Sequence, residues 1–184
     1  MKSVILAGPS RAGKTTLAKR LQREIGLYHI KGDALVGALG DTFPQLNVRH
    51  GGDYQTVCEG FAPFAAAYLR RSKNTPLIFD SYFITPDQII ELGLDKEYYV
   101  IFLGYPESDP QTKTRQVAEA DPQNYGPDIV PHDELLADMV RQIQRSKEYR
   151  EKCSKYNLAF YDLSHDFHAS QDQAFEKIMA ELKS

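Results

Sequence analysis

The chain has 184 residues, which is long enough for a sizeable hydrophobic core, so we expect residues 1–184 to fold as a single domain. Its net charge is -3 and its lysines and arginines are scattered, which argues against the basic stripe that a nucleic-acid surface needs. The 2 cysteines form neither a disulfide framework nor metal-ligand spacing, and no stretch approaches the ~18 apolar residues of a membrane span. We therefore expect a cytoplasmic protein, a monomer or a homodimer, with no nucleic acid and no membrane among its partners.

The first motif is a glycine-rich loop between an apolar run and a helical pattern. Val4–Ala7 predicts a short buried strand, and the residues from Gly8 to Thr15, GPSRAGKT, match the phosphate-binding pattern G-x-x-x-x-G-K-[ST]. Leu17, Leu21 and Ile25 follow at helical spacing. A chance glycine-rich turn is the alternative, and the correct strand and helix on either side weaken it.

The physical chemistry of this loop predicts a nucleotide. Glycines at both ends let the backbone approach an anion closely, and successive N–H groups at a helix N-terminus cradle phosphates. We expect Lys14 to reach the β- and γ-phosphates and the Thr15 hydroxyl to ligate Mg²⁺. ATP and Mg²⁺ are the predicted cofactors, and the predicted phosphate-binding residues are Gly8, Ser10, Arg11, Ala12, Gly13, Lys14, Thr15 and Thr16.

An acidic residue follows the second predicted strand. Leu27–Ile30 reads as that strand, and Gly32 and Asp33 come before a short helix of small residues at 34–39. The carboxyl ends of strands in an α/β sheet share one edge, where such sheets bind ligands, so Asp33 is a candidate for function. The alternative is that Asp33 simply caps the next helix, and both roles are compatible.

The next segment is a loop and then a helix. Residues 40–52 contain Arg49 and His50, and Arg49 is either a ligand for an anionic substrate or an ordinary solvated charge. A helix is expected over 53–73, where Pro63 predicts a kink or a break into two segments.

A third apolar run also ends in an acid. Leu77–Asp80 matches the pattern in which a carboxylate after a buried strand helps to hold Mg²⁺, so Asp80 is the second predicted metal ligand. Ser81, Tyr82 and Phe83 follow on the same edge and are expected to line an acceptor pocket. Thr85 and Pro86 then predict the start of a short helix.

The fourth strand, at 98–103, leads into a polar segment. A helix is expected over 111–120, but it has little apolar surface and should be loosely held, and the stretch after it, 121–131, contains three prolines and one glycine. We interpret residues 107–131 as a mobile flap over the site. The alternative is an ordinary solvated excursion.

The longest predicted helix, at 132–155, carries two basic residues four positions apart. Arg141 and Arg145 repel each other at that spacing, and an anion between them would reverse the sign of that interaction. The alternative is local pairing of Arg141 with Asp138 and of Arg145 with Glu148. A last strand at 158–161, a polar turn and a closing helix at 171–182 complete an α/β pattern, for which a parallel sheet covered on both faces is expected.

The phosphate loop, Gly32-Asp33, Asp80 and the flap together resemble the small P-loop kinases of the nucleoside monophosphate kinase-like group. This group includes adenylate, shikimate and gluconate kinases and chloramphenicol phosphotransferase. The resemblance implies a three-layer P-loop fold with a five-stranded parallel sheet in the order 2-3-1-4-5 and a small helical LID at about 107–131.

The same resemblance implies roles for particular residues. Arg115 would contact ATP, Arg141 or Arg145 would reach the transferring phosphate, and the turn at 164–167 would border adenine. Asp33 would contact the acceptor hydroxyl. The arginines that bind AMP in nucleoside monophosphate kinases are absent after the second and third strands, which argues against an adenylate kinase.

The sequence therefore predicts an ATP- and Mg²⁺-dependent kinase that phosphorylates a hydroxyl of a metabolite, nucleoside or antibiotic. The predicted catalytic residues are Lys14, Asp33, Arg115, Arg141 and Arg145, with Asp33 as the general base, and Thr15 and Asp80 are the predicted metal ligands. A nucleotide-binding regulatory ATPase without a separate acceptor is the alternative.

Overall fold

Five parallel strands form the centre of the structure, a computed structural model that describes residues 2–183. The strands are β1 (Val4–Ala7), β2 (Tyr28–Lys31), β3 (Leu77–Ser81), β4 (Tyr99–Gly104) and β5 (Ala159–Asp162). Their order is β2-β3-β1-β4-β5, and Val4 of the central strand pairs with Ile78 and with Tyr99. The predicted fold class and strand order are thus confirmed.

Helices connect the strands and cover both faces of the sheet. They are α1 (Lys14–Ile25), α2 (Gly32–Thr42), α3 (Tyr54–Arg71), α4 (Pro86–Glu91), α5 (Leu94–Glu97), α6 (Pro110–Ala120), α7 (Pro122–Tyr125), α8 (His132–Tyr156) and α9 (Phe167–Lys183), with a 3-10 turn at Pro44–Leu46. None of the helices in the described part of the chain has the length and apolar character needed to cross a membrane.

Successive side chains of β1 point to opposite faces of the sheet, and the hydrophobic core accordingly has two layers. Val4 and Leu6 pack with α1 and α9, whereas Ile5 and Ala7 pack with α3 and the C-terminal half of α8. All four side chains are fully buried, as expected for a central parallel strand whose two faces are both covered. This burial fixes the position of the loop that follows β1.

Pro63 does not break its helix, so the predicted break is wrong. Helix α3 runs without interruption from Tyr54 to Arg71, and Pro63 lies on its exposed side. The carbonyl that loses its hydrogen bond at a proline can bind water on that side. Meanwhile Phe61, Ala65 and other residues of the opposite side are buried in the core and hold the helix together.

Two other helices begin earlier than the sequence pattern predicts. Helix α2 starts at Gly32, directly after β2, and extends to Thr42. Helix α9 starts at Phe167. The Asp166 carboxylate accepts a hydrogen bond from the Ala169 N–H at 2.8 Å, so it provides an acceptor for one of the free N–H groups in the first turn.

Gly32 marks a close approach between α2 and β3, which gives a test of the packing. A Cβ atom at Gly32 would lie 2.8 Å from both the Asp80 carbonyl oxygen and Ser81 Oγ. We expect Gly32→Ala to lower the free energy of unfolding by about 1–3 kcal/mol, measured by urea denaturation. Gly37→Ala in the same helix is the control, because its Cβ would meet only the His50 ring at 3.5 Å, and it should be stabilising by about 0.5–1 kcal/mol. Equal effects of the two substitutions would contradict this account.

Candidate active site

The carboxyl ends of all five strands meet at one edge of the sheet, where the structure has a cavity of about 980 Å³. Because β1 is central, the loop that follows it lies in the middle of this cavity. Asp33, after β2, lines one end, and Leu163 and Ser164, after β5, line the other. The cavity therefore extends to both sides of the predicted phosphate-binding loop.

The phosphate loop has the backbone conformation that its glycines permit. Gly8 and Gly13 have φ angles of 138° and 79°, and a Cβ at Gly8 would lie 2.0 Å from the Leu103 carbonyl oxygen. Lys14 Nζ folds back and donates hydrogen bonds to the carbonyls of Gly8 at 3.0 Å and Pro9 at 2.8 Å. Burial lowers the pKa of Lys14, although the charges of Asp33 and Asp80 oppose that shift.

Asp80 joins the phosphate loop to the second strand. Its Oδ2 atom accepts hydrogen bonds from Thr15 Oγ1 at 2.8 Å and from His29 Nε2 at 2.8 Å, with the His29 ring taken as the Nε2–H tautomer. Burial favours the neutral acid, but these two hydrogen bonds and the charges of His29 and Lys14 together outweigh it, and the pKa of Asp80 is lowered. The carboxylate is thus ionised at neutral pH.

The pair Thr15 and Asp80 fits Mg²⁺. The ion prefers oxygen ligands, and it is typically held by one or two carboxylates together with water and substrate phosphates. Within residues 2–183, no group of three or more His, Cys, Asp or Glu side chains could hold a metal ion by itself. An ion at Thr15 and Asp80 would take its remaining ligands from water or from the phosphates of a bound substrate.

Asp33 lines the cavity with an exposed side chain. The interpretation of Asp33 as a helix cap is wrong, because Lys31 occupies the cap position and Asp33 lies in the first turn of α2. In the described part of the chain, no side chain or backbone N–H donates a hydrogen bond to the Asp33 carboxylate. The Asp33 carbonyl oxygen lies 2.8 Å from His50 Nε2, which ties α2 to the loop before α3.

Aromatic rings line the cavity beside Asp33. The ring centroids of Tyr54 and Tyr82 lie 4.8 Å apart, those of Tyr82 and Phe83 4.8 Å apart, and those of His50 and Phe83 5.9 Å apart. All these residues line the cavity. We call the region bordered by Asp33 and these rings the acceptor half.

The two arginines of helix α8 differ in position: Arg141 lines the cavity, whereas Arg145 packs behind the rings that line it. Arg141 pairs with Asp138 at 3.2 Å, as the local-pairing alternative predicted. Arg145 does not pair with Glu148; its guanidinium lies 3.6 Å from the centroid of the Tyr54 ring and donates a hydrogen bond to the Tyr82 hydroxyl. Arg145 does not line the cavity directly but holds two rings that do.

Helix α6 turns a different basic residue toward the cavity than the resemblance implied. Lys113 lines the main cavity, whereas Arg115 lines a second cavity of about 390 Å³ on another side of α6. Lys113 Nζ lies 4.2 Å from the centroid of the Tyr105 ring, and no described residue accepts a hydrogen bond from it. Burial lowers the pKa of Lys113 to about 8.

The phosphate loop also contacts the segment between α6 and α7. The Arg11 guanidinium lies 3.8 Å from the centroid of the Tyr125 ring and pairs with Asp121 at 3.3 Å. Val117 of α6 packs with Leu135 of α8 in a small apolar cluster separate from the main core. The contacts of residues 107–131 with the rest of the chain thus include α8 and Arg11, and the Glu107 N–H also donates a hydrogen bond to Ser164 Oγ at 2.9 Å.

The residues that follow β5 lie on the other side of the phosphate loop. Ser164 and Phe167 line the cavity, and Gln171 Nε2 donates a hydrogen bond to the Gly13 carbonyl at 3.0 Å. The turn that the resemblance associates with adenine therefore borders the same cavity as Lys14 and Asp33.

Sequence reasoning missed several residues of this site. Gln142 accepts a hydrogen bond from the Ser10 N–H at 3.2 Å and donates one to the Tyr82 hydroxyl at 3.1 Å. A polar residue within the buried stripe of α8 was the available signal for Gln142. His29 and Lys113 gave no such signal, since each resembles an ordinary strand or helix residue in the sequence.

Comparison with known proteins relates this fold to small-molecule kinases. No known sequence family matches the chain, and no curated protein sequence matches it. Many solved structures are similar to this chain, among them three that match nearly all of it. Shikimate kinase from Bacteroides thetaiotaomicron has a TM-score of 0.61 and 15% sequence identity, and the similarity covers 100% of this chain and 99% of that chain. Shikimate kinase from Acinetobacter baumannii in complex with shikimate has a TM-score of 0.58 and 18% identity, with coverages of 100% and 94%. A gluconokinase from Sinorhizobium meliloti has a TM-score of 0.53 and 12% identity, with coverages of 98% and 97%.

At sequence identities of 12–18%, the similarity to these structures shows a shared fold. The five-stranded parallel sheet in the order 2-3-1-4-5 matches the shikimate kinase fold, and the similarity covers 94–99% of the two shikimate kinase chains. The chain has the three-layer fold of the small P-loop kinases, as its sequence resemblance implied.

Proposed function

We propose that the chain is a single-domain, ATP-dependent kinase that transfers the γ-phosphoryl group to a hydroxyl of a small molecule, with residues 107–131 as its LID. The observation that carries this proposal is the continuity of the cavity. It extends from Lys14 in the phosphate loop to the Asp33 carboxylate in the acceptor half, which accepts no hydrogen bond from the described residues. A site for hydrolysis alone needs no such second half.

The phosphate loop supplies electrostatic stabilisation in this proposal. Its N–H groups and the Lys14 ammonium would bind the β- and γ-phosphates, where negative charge shifts during transfer. Lys14 now donates its hydrogen bonds to loop carbonyls, so it would exchange these for phosphate oxygens. Thr15 and Asp80 would hold Mg²⁺, which neutralises phosphate charge when bound.

Asp33 is the proposed general base. As the acceptor oxygen forms its bond to the γ-phosphorus and the bond to the ADP oxygen breaks, the hydroxyl proton passes to the Asp33 carboxylate. The absence of a hydrogen-bond donor to that carboxylate among the described residues leaves it available for the acceptor. Asp80 is less suited to this role, because His29 and Thr15 already occupy one of its oxygens.

The LID is proposed to add positive charge over the phosphates. Lys113 of α6 lines the cavity and has no hydrogen-bond acceptor among the described residues, whereas Arg141 of α8, outside the LID, lines the cavity but is paired with Asp138. Arg115 would reach the nucleotide only if α6 moved, because it lines the second cavity. Closure of this segment would also exclude water from the transferring group.

The alternative, a regulatory ATPase without an acceptor, makes a different kinetic prediction. Its ADP release would not depend on added alcohols. The test is to measure ADP release with ATP and Mg²⁺ in the presence and absence of a panel of sugars, nucleosides and antibiotics. Release that depends on one acceptor, with recovery of the phosphorylated product, supports the kinase.

The Asp33→Asn substitution tests the proposed base. We expect the acceptor-dependent rate to fall by roughly 10²–10⁴ while ATP affinity is unchanged, because the amide cannot accept the hydroxyl proton. Steady-state kinetics and calorimetric titration with a non-hydrolysable ATP analogue measure the two quantities. Asp41→Asn, an exposed change near the end of the same helix, is the control. Full transfer activity in Asp33→Asn would assign the base elsewhere, with Asp80 first in line.

The pKa of Lys113, about 8, gives a pH test of the LID. The ammonium attracts phosphates only below this pKa, so ATP binding should weaken as the pH rises through about 8. Lys113→Arg should remove this pH dependence, since arginine stays charged. Lys113→Ala should weaken ATP binding by roughly 10-fold at neutral pH, and Arg115→Ala by less. A larger loss in Arg115→Ala would instead support Arg115 as the LID cation.

His29→Leu tests the positioning of Asp80. Loss of a buried hydrogen-bond donor should lower the free energy of unfolding by roughly 1–3 kcal/mol. The Mg²⁺ concentration for half-maximal activity should rise by roughly 10-fold, because Asp80 loses a group that orients it. Tyr28→Leu on the same strand is the control, since Tyr28 is 66% exposed. Unchanged stability and Mg²⁺ dependence would rule out this role for His29.

A further inference from the structure

We infer that the phosphoryl acceptor carries no carboxylate or phosphate group and binds through a ring-shaped face. This inference rests on the proposed function and specifies its substrate class. It is argued from the charges and the rings of the acceptor half.

The acceptor half offers no cation that is available to an anionic substrate. Arg145 is held between the Tyr54 ring and the Tyr82 hydroxyl, and Arg141 is paired with Asp138 at 3.2 Å. Lys14 belongs to the phosphate loop, where the nucleotide brings its own negative charges. Each positive group near the acceptor half therefore already has a partner or a proposed role.

Carboxylates make this half unfavourable for an anion. Asp33 must approach the reacting hydroxyl in the proposed mechanism, and the cation that acts on its carboxylate is Lys14, which belongs to the phosphate loop. Asp138 also lines the cavity, and it is placed beside the rings by Gln142, which donates hydrogen bonds to both Asp138 and the Tyr82 hydroxyl. An anionic acceptor would thus meet the carboxylates of Asp33 and Asp138, while the cations that balance them, Lys14 and Arg141, are already engaged, which disfavours binding.

Arg49 is the remaining basic residue of the neighbouring loop. Its backbone and the first atoms of its side chain pack against Gly40 and Gly52, and Arg49 does not line the cavity, whereas His50 does. The structure therefore favours the solvated-charge interpretation of Arg49 over a role as an anion ligand.

The rings of the acceptor half define the complementary surface. Tyr54, Tyr82, Phe83 and His50 form a chain of neighbouring rings along the cavity, and the Tyr54 and Tyr82 rings are fixed by Arg145. Such a wall binds a planar or apolar ring by stacking and by excluding water. A nucleoside-like or aryl alcohol fits it better than an open-chain polyol.

The test is a charge-sorted acceptor screen with labelled ATP. Hydroxyl compounds with and without carboxylate or phosphate groups are compared by transfer of the label, including the matched pairs uridine with orotidine and methyl shikimate with shikimate. We expect transfer to compounds without negative charge, with kcat/KM roughly 100-fold or more above that of the anionic member of a pair.

Two substitutions make the test specific. Asp138→Asn releases Arg141 and should raise kcat/KM for the anionic member of a pair by several-fold. Phe83→Leu should raise the acceptor KM by roughly 10-fold with little effect on the KM for ATP. Phe64→Leu is the control, because Phe64 is 37% exposed on α3 outside the cavity. Phe83 is buried, so its substitution could also lower stability. His50→Ala removes an exposed ring of the same wall and should likewise raise the acceptor KM.

The outcomes separate this inference from the function on which it rests. Preferred transfer to the anionic members would overturn the inference and leave the kinase assignment intact. Acceptor KM values that are insensitive to both ring substitutions would overturn the ring-shaped face. ATP hydrolysis that no compound of either charge stimulates would reject both the inference and the proposed function.

Discussion

A buried carboxylate, that of Asp80, holds together the parts of the chain that form the cavity. It accepts hydrogen bonds from Thr15 at the start of α1 and from His29 on β2. An ionised group with 2% exposure is strongly destabilising if it loses its partners, so these elements must keep their positions relative to β3. The backbone carbonyl of the same residue also faces Gly32, which sets how closely α2 approaches. The distance between the phosphate loop and the acceptor half follows from these contacts.

The strands and the phosphate loop are predictable from the sequence because each signal lies within a few consecutive residues. GPSRAGKT and the apolar run that ends in Asp80 need no knowledge of distant residues. The contacts that complete the site cannot be recognised from consecutive residues. His29 with Asp80, and Tyr54 with Arg145, join residues far apart in the chain, and only the packed sheet brings them together.

The basic residues of α6 illustrate a different limit. Lys113 and Arg115 are two positions apart, so on a helix of 3.6 residues per turn they point about 200° away from each other. The sequence identifies the helix as polar but does not say which side faces the cavity. Pro63 shows the same dependence on surroundings, because its effect is decided by the burial of the opposite side of α3. In both cases tertiary packing supplies the missing information.

The register of β1 has a consequence for how the protein folds. Val4 pairs with Ile78 on one side and Tyr99 on the other, so the central strand has no neighbour close to it in the chain. Closing loops of this length costs entropy before any hydrogen bond is gained, and folds dominated by such contacts fold slowly. The loop that follows β1 can adopt its observed conformation only when β3 and β4 are present to support it. The proposed affinity for a nucleotide should therefore appear late, in the same cooperative step that assembles the sheet.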